Sequence, residues 1–375
     1  MPRVYLDHHA ATPVDPRVQA ALSALGDVWA NPSSVHGEGR RSRGHLERAR
    51  EQVAASVGAA ASDIVLTSGG TEACNLGILG ALPHDAVAHV VTSEIEHPAV
   101  LEPLRQLERL GRIQITRLAV PEGRPPSVHE LRTALTPHTR LCALQWVNHE
   151  TGTIFPIEAY AAVCRAAQVP LFVDATQGFG KLPLAVSGLG ADLLALAAHK
   201  IGGVAGAGAL WVSRAVDLRS VALGGGQERG RRAGTPDVRA AVGFGVACSL
   251  VAERIASQPR IGTLRDRLEA RLQSLGGRVN AGQSPRVATV SNVYWPGRRS
   301  DALVAALDIE GVAVSAGAAC SSGKSEPSAV ILGMYPSEKP RAESSVRFSF
   351  GREVSESEEE FVEDCCQRVL ARPVA

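Results

Sequence analysis

Asp192-Leu-Leu-Ala-Leu-Ala-Ala-His199-Lys200, followed at once by Ile201-Gly-Gly-Val-Ala-Gly-Ala-Gly208, is an apolar run that ends in a histidine, a lysine and a glycine-rich turn. Such a run reads as a buried strand that delivers one amine to a site at its end. The chain has only four lysines among 39 Lys plus Arg: Lys181, Lys200, Lys324 and Lys339. A guanidinium stays protonated and is no nucleophile, so chemistry that traps a carbonyl has few amines to use. Lys200 is either that amine or a strand-end residue that snorkels to water.

Outward from this run the pattern is regular. Ile64-Val-Leu-Thr67, His89-Val-Val-Thr-Ser93, Ile113-Gln-Ile-Thr116, Leu141-Cys-Ala-Leu-Gln-Trp146, Leu171-Phe-Val-Asp174 and Ala209-Leu-Trp-Val212 read as further strands. Helical stretches at 71–81, 98–110, 127–135 and 156–168 separate most of them. Strands alternating with helices predict an α/β fold, a mainly parallel seven-stranded sheet with helices on both faces. Its ligand belongs at the carboxyl ends of the strands. After the apolar helix that ends near Ala256, the pattern changes to a smaller α+β set with helices at 261–275, 300–310 and 355–371 and strands at 287–294, 312–315 and 345–350. The expected division is a large domain of residues 16–257 and a small one of 1–15 with 258–375.

At 375 residues and 45% hydrophobic, the chain can bury a substantial core. Its formal net charge of +1 points to no nucleic-acid or anionic-membrane partner. The N-terminus is charged and broken by proline where a signal peptide would be apolar, and no uncharged apolar run approaches the roughly 20 residues of a membrane span. The expectation is a cytoplasmic protein. The seven cysteines show no zinc-type spacing and read as reduced thiols, with no metal site expected.

Several stretches carry chemistry. Ser68-Gly-Gly-Thr71 lies between a strand and a helix, where it is either a plain glycine turn or an anion cup of backbone N–H groups with the Thr71 hydroxyl. Asp174 is either a turn cap or a buried carboxylate awaiting a cation. Phosphate cup, strand-end Asp and strand-end Lys, in that order, supply the phosphate, ring-nitrogen and aldehyde partners of pyridoxal phosphate. His97, at another strand end, is either a plain turn histidine or an imidazole that lies on a cofactor ring and moves protons. Cys74, Cys142, Cys164 and Cys248 sit among apolar residues and read as core thiols. Cys320, in Ala-Gly-Ala-Ala-Cys-Ser-Ser-Gly, is either an exposed nucleophile on a loop of small residues or an inert thiol in a tight turn. Arg347 is either a solvated arginine or a bidentate carboxylate clamp on a strand. The arginines between Arg229 and Arg232, just before Thr235, are either solvated or reach a phosphate, of their own subunit or a neighbouring one.

Together these motifs resemble the cysteine desulfurase family, within the class V group of fold-type I pyridoxal-phosphate enzymes. The match runs in order from Tyr5-Leu-Asp7 through Asn31-Pro-Ser-Ser34, Gly69-Gly-Thr-Glu72, Glu96-His-Pro-Ala-Val100, Asp174-Ala-Thr-Gln177, His199-Lys200 and Arg232-Ala-Gly-Thr235 to Ala319-Cys-Ser-Ser322 and Arg347. The loop continues without truncation to Glu326-Pro-Ser328, which resembles the subgroup that feeds iron–sulfur assembly and tRNA thiolation. The resemblance implies that Lys200 bonds pyridoxal 5'-phosphate, His97 stacks on its ring, Asp174 meets the ring nitrogen and Gln177 the ring hydroxyl. It places Gly70, Thr71 and His199 on the phosphate together with Thr235 of the partner subunit, and so implies a homodimer. Arg347 and Asn148 fall on the side of the substrate, L-cysteine. Cys320 would take the sulfur as a persulfide, release alanine and pass sulfur to a protein acceptor such as an iron–sulfur scaffold or thiolation enzyme. A lyase of the selenocysteine type and a catalytically weak sulfur-relay protein are the alternatives. The sequence departs from the family at three points. Ala197 replaces a serine expected on the phosphate, His149 replaces an asparagine expected near the ring hydroxyl and substrate carboxylate, and Cys74 precedes Asn75 where Asn-Asn is common.

Overall fold

The computed structural model describes residues 3–83, 86–317, 327–352 and 354–372; the segment that contains Cys320 lies outside them. In chain order the strands are β1 (Val4–Tyr5), β2 (Ile64–Thr67), β3 (Ala88–Ser93), β4 (Ile113–Leu118), β5 (Thr139–Gln145), β6 (Leu171–Asp174), β7 (Leu193–Ala197), β8 (Gly208–Val212), β9 (Arg278–Val279), β10 (Val290–Tyr294), β11 (Val312–Ala313) and β12 (Ser345–Ser349). Seven of them form one sheet in the order β2-β8-β7-β6-β5-β3-β4. The pairs from β7 through β4 are parallel, and β8 runs antiparallel to both of its neighbours. β2 therefore points the same way as β7, and six of the seven carboxyl ends share one edge.

The inner strands β6, β7 and β8 read as nearly unbroken apolar runs because both faces of the sheet are covered there, whereas the edge strand β4 carries exposed Gln114 and Arg117. Side chains alternate between faces. Leu66, Val91, Cys142, Leu144, Val173, Leu194 and Leu196 enter one core, while Val65, Val90, Leu141, Ala143, Phe172, Leu193 and Ala195 enter the other. A one-residue slip would exchange the two sets, which fixes the register.

Beyond the sheet, β12-β10-β9 form a small antiparallel sheet, and β1 pairs in parallel with β11. Val4 and Leu6 share a third core with Ile261, Leu264, Leu268, Trp295, Phe348 and Val362, so the amino-terminal strand packs with the carboxyl-terminal third. The apolar helix expected to end near Ala256 is two helices, Val238–Ser249 and Val251–Ala256, parted at Leu250. The segment before Arg347 contains two short helices not expected from the sequence, Ala329–Met334 and Lys339–Glu343. No helix among the described residues is long and apolar enough to cross a membrane.

Candidate active site

The carboxyl ends of β2, β3, β5, β6 and β7 open into one cavity of about 400 Å³, within the range of cofactor sites. Gly70, Thr71, His97, His149, Asp174, Gln177, His199, Lys200 and Arg347 all line it. These residues span most of the sequence, and the parallel sheet brings their strand ends side by side.

After β2 the chain turns at Gly69 (φ 154°), a conformation open to glycine, and starts the helix Gly70–Ala81 with no side-chain cap. The leading amides of a helix lack partners inside it and attract an anion. Gly70 is a close-approach glycine. A Cβ there would meet Thr176 Cγ2 at 2.8 Å and Ala197 Cβ at 3.2 Å. The Glu72 carboxylate accepts the Ser68 amide at 2.6 Å and pairs with Arg232 at 2.8 Å. Burial raises its pKa, but these bonds outweigh burial and hold it below the usual carboxylate range.

Asp174 ends β6 and is buried. Its Oδ1 accepts both the amide and the hydroxyl of Thr176, at 3.0 and 2.6 Å. Oδ2 remains for a cationic group in the cavity. His97 caps the helix Pro98–Arg109, its Nδ1 accepting the Ala99 amide at 3.0 Å, so the neutral ring carries its proton on Nε2. Burial and then the Lys200 charge lower its pKa, against the pull of Asp174. His199 is pushed down to about 4 by burial, then by Lys200 and His97. Both imidazoles are therefore neutral at pH 7.

Lys200 follows β7 on a 3₁₀ turn, Ala198–Lys200. Its Nζ donates to the carbonyls of His9 at 2.6 Å and Ala10 at 2.9 Å. Gln177 donates from Nε2 to the same His9 carbonyl at 2.8 Å and accepts from Lys181 Nζ at 2.7 Å. Neither a place for Lys181 beside Gln177 nor the His9 and Ala10 carbonyls was marked by any motif. Backbone acceptors leave no side-chain signature, although Lys181 stands only four residues past Gln177.

Arg347 is 1% exposed. Its Nη2 pairs with Asp7 Oδ1 at 2.7 Å and its Nη1 donates to the His149 carbonyl at 3.1 Å, while Nε is buried without a partner. The expected carboxylate clamp is thus held by an acid 340 residues away. Asn148 does not line the cavity. Its Oδ1 accepts the amides of Glu150 and Thr151 and the Thr151 hydroxyl at 2.9–3.1 Å, and its Nδ2 donates to the Ile95 carbonyl, so the side chain is spent on the turn. Thr235 lies in an adjoining pocket that shares Ser68 and Gly206 with the main cavity. Cys320 lies outside the described residues. The other six thiols are buried, and burial raises the pKa of Cys74, Cys248, Cys365 and Cys366.

An uncapped helix start with a glycine cradle, a buried carboxylate and a lysine at the mouth of one cavity fit the phosphate, ring nitrogen and aldehyde of pyridoxal phosphate. Comparison with known proteins agrees. The model of the aminotransferase class-V family matches residues 4–361. A protein of Gluconacetobacter diazotrophicus named cysteine desulfurase is 38% identical over 99% of this chain and 94% of its own length. One of Cereibacter sphaeroides with the same name is 40% identical over 89% of this chain and 87% of its own length. Among solved structures, a NifS-like protein superposes with a TM-score of 0.91 at 28% identity, covering 98% of this chain and 99% of that one. SspA in complex with cysteine superposes with a TM-score of 0.81 at 32% identity, covering 93% and 99%. The chain belongs to the aminotransferase class-V family of pyridoxal-phosphate-dependent enzymes, among its cysteine desulfurases.

Proposed function

We propose that the chain converts L-cysteine to L-alanine and takes the sulfur onto Cys320 as a persulfide. The convergence of Lys200, Asp174, His97 and the Gly70–Thr71 helix start on one cavity carries this reading. Pyridoxal phosphate, when bound, supplies the electron sink that lets the substrate lose sulfur from its β-carbon. Gly70, Thr71 and His199 hold its phosphate, and Asp174 Oδ2 holds its ring nitrogen protonated. The Lys200 amine would hold the cofactor's aldehyde carbon and, once free, would carry protons at Nζ. Arg347, aimed by Asp7, orients the substrate carboxylate. His97, neutral with its proton on Nε2, is placed to exchange a proton with the substrate.

The sulfur step balances without an external oxidant. The Cys320 thiolate attacks the substrate sulfur, an S–S bond forms, the C–S bond breaks, and its electron pair stays on carbon to be protonated as alanine. A protein thiol acceptor then draws the outer sulfur away, in iron–sulfur assembly or tRNA thiolation. The chain works as a homodimer in which Thr235 of the partner subunit completes the phosphate site. Alanine formation from L-cysteine tests the proposal. The loaded wild type produces it, Cys320→Ala and Lys200→Ala do not, and turnover by Cys320→Ala would favour a lyase of the selenocysteine type.

A further inference from the structure

We propose that Lys181 is a positioning residue of the cofactor site: its amine fixes the Gln177 amide so that Gln177 meets the cofactor with an N–H. This rests on the reading that Gln177 touches pyridoxal phosphate.

Lys181 is buried, and among the described residues no carboxylate pairs with it. Its Nζ donates to two acceptors on one residue, the Gln177 carbonyl at 2.9 Å and Gln177 Oε1 at 2.7 Å. The other end of that amide donates from Nε2 to the His9 carbonyl. A carbonyl only accepts, so turning the amide over would set Oε1 against the His9 oxygen and lose both bonds. In this orientation Oε1 is turned to Lys181, and the second hydrogen of Nε2 is the donor that Gln177 has left for the cavity. An acceptor suits it there, as the phenolic oxygen of pyridoxal phosphate is.

The link reaches Lys200 as well. The His9 carbonyl that receives Gln177 also receives Lys200 Nζ, so the buried Lys181 amine and the half-buried Lys200 amine are joined through one amide and one carbonyl. Lys181 itself lies behind the site, on a cavity of about 30 Å³ that it shares with Lys200 and Arg254. Its position is a poor one for an amine. Burial, then the charges of Lys200, Arg254 and Arg347, push its pKa well below the ordinary lysine value. An apolar side chain of similar length would avoid that desolvation, which offsets the cost of leaving the two Gln177 acceptors unpaired.

The test compares Lys181→Met, Lys181→Gln and Gln177→Ala, singly and combined, by three measurements: pyridoxal-phosphate binding to the apoprotein, melting of the apoprotein, and the pH midpoint of the visible band of the loaded protein. Lys181→Met is expected to melt close to the wild type, to bind about tenfold more weakly, as for one lost hydrogen bond, and to shift the band midpoint. Lys181→Gln keeps an N–H for Oε1 and recovers most of both. In the Gln177→Ala background, Lys181→Met has no further effect on binding. The proposal is overturned if the two losses multiply, or if Lys181→Met lowers melting while binding and midpoint stay at wild-type values. A Gln177→Ala variant with unchanged binding also overturns it, without touching the functional reading. A wild type that does not bind the cofactor at all sinks that reading first.

Discussion

The imidazole of His149 stands edge-on to that of His97, with ring centroids 5.2 Å apart and planes at 80°. His149 is buried, lines the active-site cavity, and has its Nδ1 without a hydrogen-bond partner. Burial, then His97, Arg347 and Lys200, push its pKa well below the ordinary histidine value, so it is a neutral dipole at working pH. Replacing it with the family's asparagine exchanges one neutral polar group for another. His149→Asn should retain alanine formation and move the pH–rate profile, because it removes a ring that touches His97. An unchanged profile would mean that His149 takes no part in proton transfer.

Acid should destabilise the apoprotein early. His9, His149 and His199 all have folded-state pKa values below the ordinary 6.5 or so, with His199 at about 4. Below pH 6.5 the unfolded chain therefore binds protons that the folded chain does not. The stability that these residues hold above about pH 6.5 is lost as pH falls toward about 4. Melting curves at stepwise lower pH should show this, and His149→Asn should flatten the decline. A melting temperature constant across that window would show that the imidazoles are not buried as described.

Ala197→Ser should strengthen cofactor binding. The Thr176 hydroxyl beside Ala197 is committed to Asp174, so it does not replace the missing serine. A regained hydrogen bond to a charged phosphate is worth about 1.5–3 kcal/mol, or roughly one to two decades in affinity. Equilibrium dialysis of the apoprotein measures it. Gly70→Ala should do the reverse, since its Cβ would crowd Thr176 at 2.8 Å.

The loop that leads to Thr235 is held from inside. Arg50, from the helix Gly37–Ser56, pairs with Glu228 through bonds of 2.5 and 2.8 Å, and the same carboxylate accepts the Leu66 amide of β2 at 2.9 Å. Both side chains are buried. Glu228→Ala leaves Arg50 with the half-exposed Glu47 and the Ile64 carbonyl and leaves the Leu66 amide without its acceptor, and should cost about 1–3 kcal/mol, visible as a lower denaturation midpoint. Replacing both residues together, Arg50→Met with Glu228→Leu, should recover much of that loss.

The sheet and its site were legible for one reason: strands covered on both faces are apolar throughout, so the first polar residues after each run stand at a sheet edge. Asp174, His199 and Lys200 are found in this way. What escaped depends on contacts distant in sequence or made by backbone. Nothing local marks Asp7 as the partner of Arg347, or the His9 carbonyl as the acceptor for Lys200. Asn148 misled because an asparagine beside a motif looks available, whereas its oxygen closes a turn on Glu150 and Thr151. The break at Leu250 was hidden because apolar composition continues across it.

The central claim is that sulfur passes from L-cysteine to Cys320. The most direct measurement is mass spectrometry of the Cys320 peptide, with alanine quantified in the same sample, after the loaded protein reacts with L-cysteine without reductant. The account predicts one added sulfur on that peptide, one alanine per sulfur, and loss of both in Lys200→Ala. Alanine formed with no sulfur on Cys320, or sulfur found on Cys365 or Cys366 instead, would contradict it.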